Sequence, residues 1–175
     1  NRLFSSNPWV NSFYAPHTLE VDFCNIDHNQ KYIESVITTH YSQEATIASH
    51  KAKLTHSEAA RYDSVLTIAV GMGKGWYATV LASKLDHEVI IPDYLVSALA
   101  FASQEVVTHN ILRKMAVNIL TNFGDTEPQK TLKTEFVDAI TDEQMNQAIQ
   151  NFCDTMPENS YSKFIAQRRS LGLHG

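Results

Sequence analysis

The chain has 175 residues, with 14 Lys+Arg against 19 Asp+Glu and a formal net charge of −5, a length that fits one domain or one domain with a helical appendage. With 43% hydrophobic and 19% charged residues it can bury a core, which excludes a disordered tail, and its acidic balance argues against nucleic-acid binding over the whole surface while leaving room for a local basic patch. No apolar run of about 18 residues marks a membrane span, no charged-then-apolar leader opens the sequence, and two cysteines, Cys24 and Cys153, are too few for a disulfide scaffold and suit a reducing cytosol. The sequence begins at Asn1 rather than Met, as a piece of a longer polypeptide would.

In chain order, residues 9–15 and 18–23 read as strands, two β-branched and aromatic runs separated by Ala15-Pro16-His17. In the second run Leu19, Val21 and Phe23 would share one face, while Thr18, Glu20 and Asp22 would present oxygens on the other. Helices are expected to dominate from Asn29 to Ser170. Tyr32, Ile33, Val36 and Ile37 form an amphipathic stripe within 29–40, and 42–55 suits a second helix. Thr55 and Glu58 have the spacing of a loose capping box. After the apolar run Val65 to Val70 come Gly71, Gly73 and Gly75, a glycine cluster holding Lys74, and then a helical segment from Trp76 to Leu85. Asp93 suits a cap for a helix through Ala102. Ile111, Met115, Ile119 and Leu120 form a stripe, and Asp125 to Pro128 marks a break. Leu132, Phe136, Val137 and Ile140 make a further helix, and Thr141 to Gln144 opens the next, with Met145, Ile149 and Phe152. The last fifteen residues, with Arg168 and Arg169, read as a frayed helix and tail.

Three features bear on chemistry. A Walker loop requires two glycines bracketing four residues and then Lys-Ser/Thr, and Gly75 after Lys74 breaks that pattern. What remains is a flexible turn, or a lysine at a helix start where ammonium and backbone dipoles together favour an anion such as a scissile phosphate. Thr18, Glu20 and Asp22 offer hard oxygen ligands of the kind Mg²⁺ or Mn²⁺ takes, unless they are simply the solvated face of an edge strand. The eight histidines, among them His17, His28, His40, His50, His56, His87, His109 and His174, show no zinc spacing. No Gly-x-Ser-x-Gly elbow and no CxxC pair occurs.

Two segments carry a resemblance. Residues 7–23, with Val10, Phe13, Ala15-Pro16, Thr18-Leu19-Glu20 and Asp22-Phe23, together with Lys74-Gly75-Trp76-Tyr77-Ala78, Leu81-Ala82 and Ile90-Ile91-Pro92-Asp93-Tyr94-Leu95, resemble in order and spacing the later part of the Toprim region of OLD (overcoming lysogenisation defect) ATP-dependent endonucleases. The resemblance covers roughly residues 7–102, and 106–175 lie outside it. It implies an α/β fold: a partial Toprim-like (Rossmann-like) sheet at the N-terminal end, within residues 1–102, followed by a helical extension over 103–175. It also implies a part of a metal-dependent nucleic-acid endonuclease working in phage defence or DNA processing, in the cytoplasm, with DNA or RNA as substrate. Glu20 would help bind a metal, with Thr18 supporting that site and Asp22 beside it, and Lys74 would stabilise phosphate charge in the transition state. Two Mg²⁺ or Mn²⁺ ions would activate water and stabilise the leaving oxygen.

The early Glu-Gly element and the Asp-x-Asp of that nuclease do not occur in this sequence, nor does the ATPase half through which ATP would act. The missing portion or a partner subunit would supply them, and self-association is open. The competing expectation is a non-catalytic helical interaction module, such as an immunity or assembly subunit, which has no need to bring Glu20 and Lys74 together. The nuclease reading makes two demands on structure: residues 18–23 must not be helical, and the tips of Glu20 and Lys74 must lie within roughly 10 Å, a gap that phosphate, water and metal fill.

Overall fold

The computed structural model describes residues 10–86, 88–103, 107–122 and 126–173. Trp9, His87, Val106, Asp125 and His174, which enter the expectations above, lie outside the described residues. Ten α-helices and one 3₁₀ turn are present, and no strand occurs among the described residues. Two compact units divide them: 15–92, and 93–175 with the N-terminal residues up to Tyr14.

In the first unit, α1 (Leu19–Cys24) leads through a 3₁₀ turn (Asp27–Asn29) into α2 (Gln30–His40), followed by α3 (Glu44–His56), α4 (Glu58–Met72) and α5 (Lys74–Ala82). Helix α2 buries the stripe read from sequence, Tyr32, Ile33, Val36 and Ile37, in a core that also holds Phe23, Cys24, Leu54, Val65, Ile68, Ala69 and Tyr77. The start of α4 is capped by Ser57, whose Oγ accepts the Ala60 amide at 3.2 Å. Thr55, the expected cap, is still inside α3 and its hydroxyl donates to the Ala52 carbonyl at 3.3 Å. Helices α4 and α5 meet at 105° about Gly73, whose φ of +80° is one that side-chain-bearing residues rarely adopt. No single helix among the described residues is long and apolar enough to cross a membrane.

The expected N-terminal sheet is overturned. Residues 10–15 carry no regular structure, and 19–24 form a helix entered from Thr18, an N-cap with extended backbone (φ −74°, ψ 154°) whose carbonyl accepts the Val21 and Asp22 amides, each at 3.0 Å. The physical reason is local as well as tertiary. Glu20 and Asp22 sit in the first turn, where the amide ends of the helix favour negative charge. The turn buries Val21 to Cys24 together, against α4, which a two-sided strand cannot do. Alternation over six residues fits a period of 2 and one of 3.6 almost equally, and a strand needs a partner.

The second unit contains α6 (Asp93–Ala102), α7 (His109–Asn122), α8 (Glu127–Asp138), α9 (Asp142–Thr155) and α10 (Ser160–Ser170). Thr141 and Gln144 form a full capping box at the start of α9. Phe136, Phe152 and Tyr161 pack ring to ring, with centroids 4.8–6.5 Å apart, and Phe13 stands 5.8 Å from Phe101. On α7 the buried stripe is Leu112, Ala116 and Leu120, one residue round from the expected one, leaving Ile111 and Met115 at the surface. On α8 Leu132 and Phe136 are buried, but Val137 is exposed, and Ile140, beyond the helix, is 91% exposed. The expected frayed end is instead a helix with Tyr161, Phe164, Ile165 and Arg168 buried.

Candidate functional site

Glu20 and Lys74, 54 residues apart in sequence, come together in the first unit. Helix α1 packs on α4, and α5 turns back from α4 at Gly73. Lys74, the first residue of α5, reaches Glu20 of α1 so that Lys74 Nζ lies 3.3 Å from Glu20 Oε1. The lysine side chain is 55% exposed and the glutamate 16%, so one wall of the pair faces water and the carboxylate lies inside. Burial pushes the Glu20 carboxyl up, but a backbone hydrogen bond, the Thr18 hydroxyl and the Lys74 ammonium together hold it below its ordinary value. Hydrogen bonds and an opposite charge favour the ionised form and here outweigh desolvation.

The corner that carries Lys74 is sparsely built. A methyl group placed on Gly71, Gly73 or Gly75 would meet nothing within 4 Å. No side chain caps α5, and the first amides of a helix have no partner inside it. The half-exposed ammonium is the cationic side chain of this corner.

Thr18 joins this site through Glu20. Asp22 does not: two residues along a helix amount to a rotation of about 200°, so Glu20 and Asp22 point to opposite sides instead of sharing a strand face. Asp22 holds His17 with both oxygens, Oδ2 accepting the His17 amide at 3.3 Å and Oδ1 lying 3.0 Å from Nδ1. The imidazole in turn lies tilted against the Tyr62 ring, centroids 5.0 Å apart, and the Tyr62 hydroxyl donates to Glu58. His17 was not singled out by sequence. Its spacing from Asp22 matters only once residues 18–22 are wound into a turn.

The same geometry tests the metal expectation. Glu20 Oε1 is engaged by an ammonium and both Asp22 oxygens by His17, and no group of three or more His, Cys, Asp or Glu able to hold a metal ion occurs among the described residues. Hard divalent ions need several oxygen ligands converging on one point. Thr18, Glu20 and Asp22 therefore do not fit Mg²⁺ or Mn²⁺ by themselves.

A second buried group beside this site also escaped the sequence. Tyr77 is 1% exposed, and its hydroxyl has no hydrogen-bond partner among the described residues. It shares its surroundings with Cys24 and Glu20, and burial drives the Tyr77 phenol and the Cys24 thiol upward, the thiol to about 12. A thiol so held stays protonated and is a core side chain, not a nucleophile. Comparison with known proteins returns no matching family model, no matching curated protein and no matching solved structure.

Proposed function

We propose that this chain contributes Lys74 and Glu20 to phosphodiester hydrolysis in a nucleic-acid endonuclease similar to the OLD type, serving phage defence or DNA processing in the cytoplasm. Of the two demands that the resemblance makes, the non-helical one at residues 18–23 fails, since 19–24 form α1, and the reading rests on the other alone, the 3.3 Å approach of Lys74 to Glu20 across 54 residues. In this reading the ammonium offsets charge that grows on the phosphoryl oxygens in the transition state. Glu20 holds the ammonium at the start of α5, so the cation is in place before substrate arrives. The divalent ions and the ATP of such an enzyme call for ligands beyond Thr18, Glu20 and Asp22, from the ATPase and Toprim portions or a partner subunit.

The experiment is cleavage of DNA and of RNA by the full-length protein with Mg²⁺ or Mn²⁺, compared with Lys74→Ala. Loss of about 10²-fold or more in rate, with folding spared, is expected for removing a transition-state donor. An unchanged rate would end the assignment.

The all-helical build of the described residues favours a second reading, a non-catalytic helical interaction module such as an immunity or assembly subunit. There the Glu20–Lys74 pair is a surface tie that contributes at most about 1 kcal/mol. Absence of cleavage under every metal condition, together with a stable complex with a protein partner, would select it.

A further inference from the structure

The second unit holds a pocket of about 250 Å³ between α7, α9 and α10. Its walls are aliphatic, from Leu112, Ile149 and Ile165, and its polar groups are Arg168, Arg169 and Asn146. No aspartate or glutamate is among the described residues that line it.

Arg168 is the unusual member. It is 2% exposed, and buried arginines ordinarily face a carboxylate. Here Nη1 donates to the Ser103 carbonyl at 3.0 Å and to Ser103 Oγ at 2.8 Å, and Nη2 donates to the Val107 carbonyl at 3.3 Å. Those three bonds anchor the guanidinium to the end of α6. A guanidinium has five N–H donors, so Nε–H and one Nη2–H have no partner among the described residues. These are the N–H groups of Arg168 left to a ligand, and a guanidinium can take a carboxylate in two parallel hydrogen bonds. No carboxylate pairs with the cation among the described residues, and burial lowers its pKa.

The rest of the pocket agrees. Arg169 adds a second cation at the rim, its Nη1 donating to Gln150 Oε1 at 2.9 Å. Asn146 also lines the pocket, and its side-chain amide meets His109, with Oδ1 3.2 Å from Nε2. The nearest carboxylate in this chain of contacts, Asp142, is engaged by His109 Nδ1 at 2.8 Å.

We infer that the α7–α9–α10 pocket binds the carboxylate of a small apolar acid, the carboxylate on the remaining N–H groups of Arg168 and the apolar body against Leu112, Ile149 and Ile165. The volume is below the roughly 300–1,000 Å³ of sites for drug-sized ligands, so the acid is small. Leu112, Ile149 and Ile165 offer contact to the hydrocarbon body of such an acid, which inorganic phosphate lacks.

The test uses the full chain with benzoate, butyrate and inorganic phosphate as probes, read by calorimetric titration and by the side-chain Nε–H resonance of Arg168 in ¹⁵N-labelled protein. Saturable binding of benzoate and butyrate near or below about 1 mM, with a shift of the Arg168 Nε–H signal, is expected. Arg168→Gln should weaken it by roughly tenfold or more. Because Arg168 also anchors α6, Asn146→Trp, at an exposed rim position, serves as the second variant and should block the pocket without disturbing the core. Absence of saturable binding to the folded wild type would overturn the site, as would binding that survives Asn146→Trp with no change at Nε–H. Phosphate binding as tightly as butyrate would overturn the assignment to an apolar acid.

Discussion

Asn29 and Ile90 are joined twice. The Asn29 side chain donates from Nδ2 to the Ile90 carbonyl at 2.7 Å and accepts the Ile90 amide at Oδ1 at 3.0 Å, and Nδ2 also reaches the Phe23 carbonyl at 3.3 Å. A fully buried amide thus serves the segment before Pro92 as a partner strand would, and ties it to the end of α1 and the start of α2. Replacing Asn29 with Leu would strand two backbone groups of Ile90 in the interior. Each buried unsatisfied group costs about 1–3 kcal/mol, so Asn29→Leu should lower stability by about 2–5 kcal/mol in urea denaturation. A loss below about 1 kcal/mol would show that this tie is not made in solution.

The Glu20 carboxyl titrates below its ordinary value of 4.5 in the folded protein. A folded-state pKa below the unfolded one adds stability above the unfolded value and loses it as pH falls through the folded one. The contribution of Glu20 should therefore be intact at pH 6 and fade below about pH 4.5. Lys74→Met removes an attractive cation and should move the Glu20 carboxyl upward, read by ¹³C chemical shift against pH. No movement would mean that the two side chains do not meet in solution.

Helix α4 should depend on Ser57 and not on Thr55. Loss of a side-chain N-cap costs about 0.5–2 kcal/mol, so Ser57→Ala should shift the denaturation midpoint measurably. Thr55→Ala, inside α3, should change it by a few tenths of a kcal/mol at most. The reverse order would place the cap at Thr55.

Tyr77→Phe removes a buried hydroxyl that has no partner among the described residues. Deleting such a group leaves nothing newly unsatisfied, and the change should be neutral or stabilising by up to about 1 kcal/mol. A loss above about 1.5 kcal/mol in thermal or urea unfolding would reveal a hydrogen-bonded hydroxyl.

Much of the helical part of the chain was legible. The stripe Tyr32, Ile33, Val36, Ile37 and the start of α9 at Thr141 stand where periodicity and capping chemistry put them. Two kinds of feature were not legible. Short elements such as 19–24 offer too few residues for a period of 2 to be told from one of 3.6, and tertiary burial decides between them. Stripe register fails where apolar residues are abundant: α7 carries Ile111, Leu112, Met115, Ala116, Ile119 and Leu120, and only its neighbours choose which face is buried.

At the site, the meeting of Glu20 and Lys74 was expected from the resemblance and not from any local pattern. The His17–Asp22 contact was hidden by the strand reading. Arg168 was hidden because an arginine near a chain end reads as a solvated tail until the carbonyls around it are known.

Gly73 gives the site a dependence on one missing atom. Lys74 follows directly on a backbone turn with φ +80° and ψ 125°, in a half of conformational space that L-amino acids enter only at a cost of about 1–3 kcal/mol, while the surroundings would accommodate a methyl group. An L-alanine at position 73 therefore carries a purely torsional penalty and pulls α5, with its ammonium, away from Glu20. A D-alanine does not relieve it: at ψ 125° it is the mirror image of an L residue at φ −80°, ψ −125°, outside the allowed regions as well. Position 73 thus asks for a residue with no Cβ of either hand, and both alanines should loosen the Glu20 contact that glycine permits.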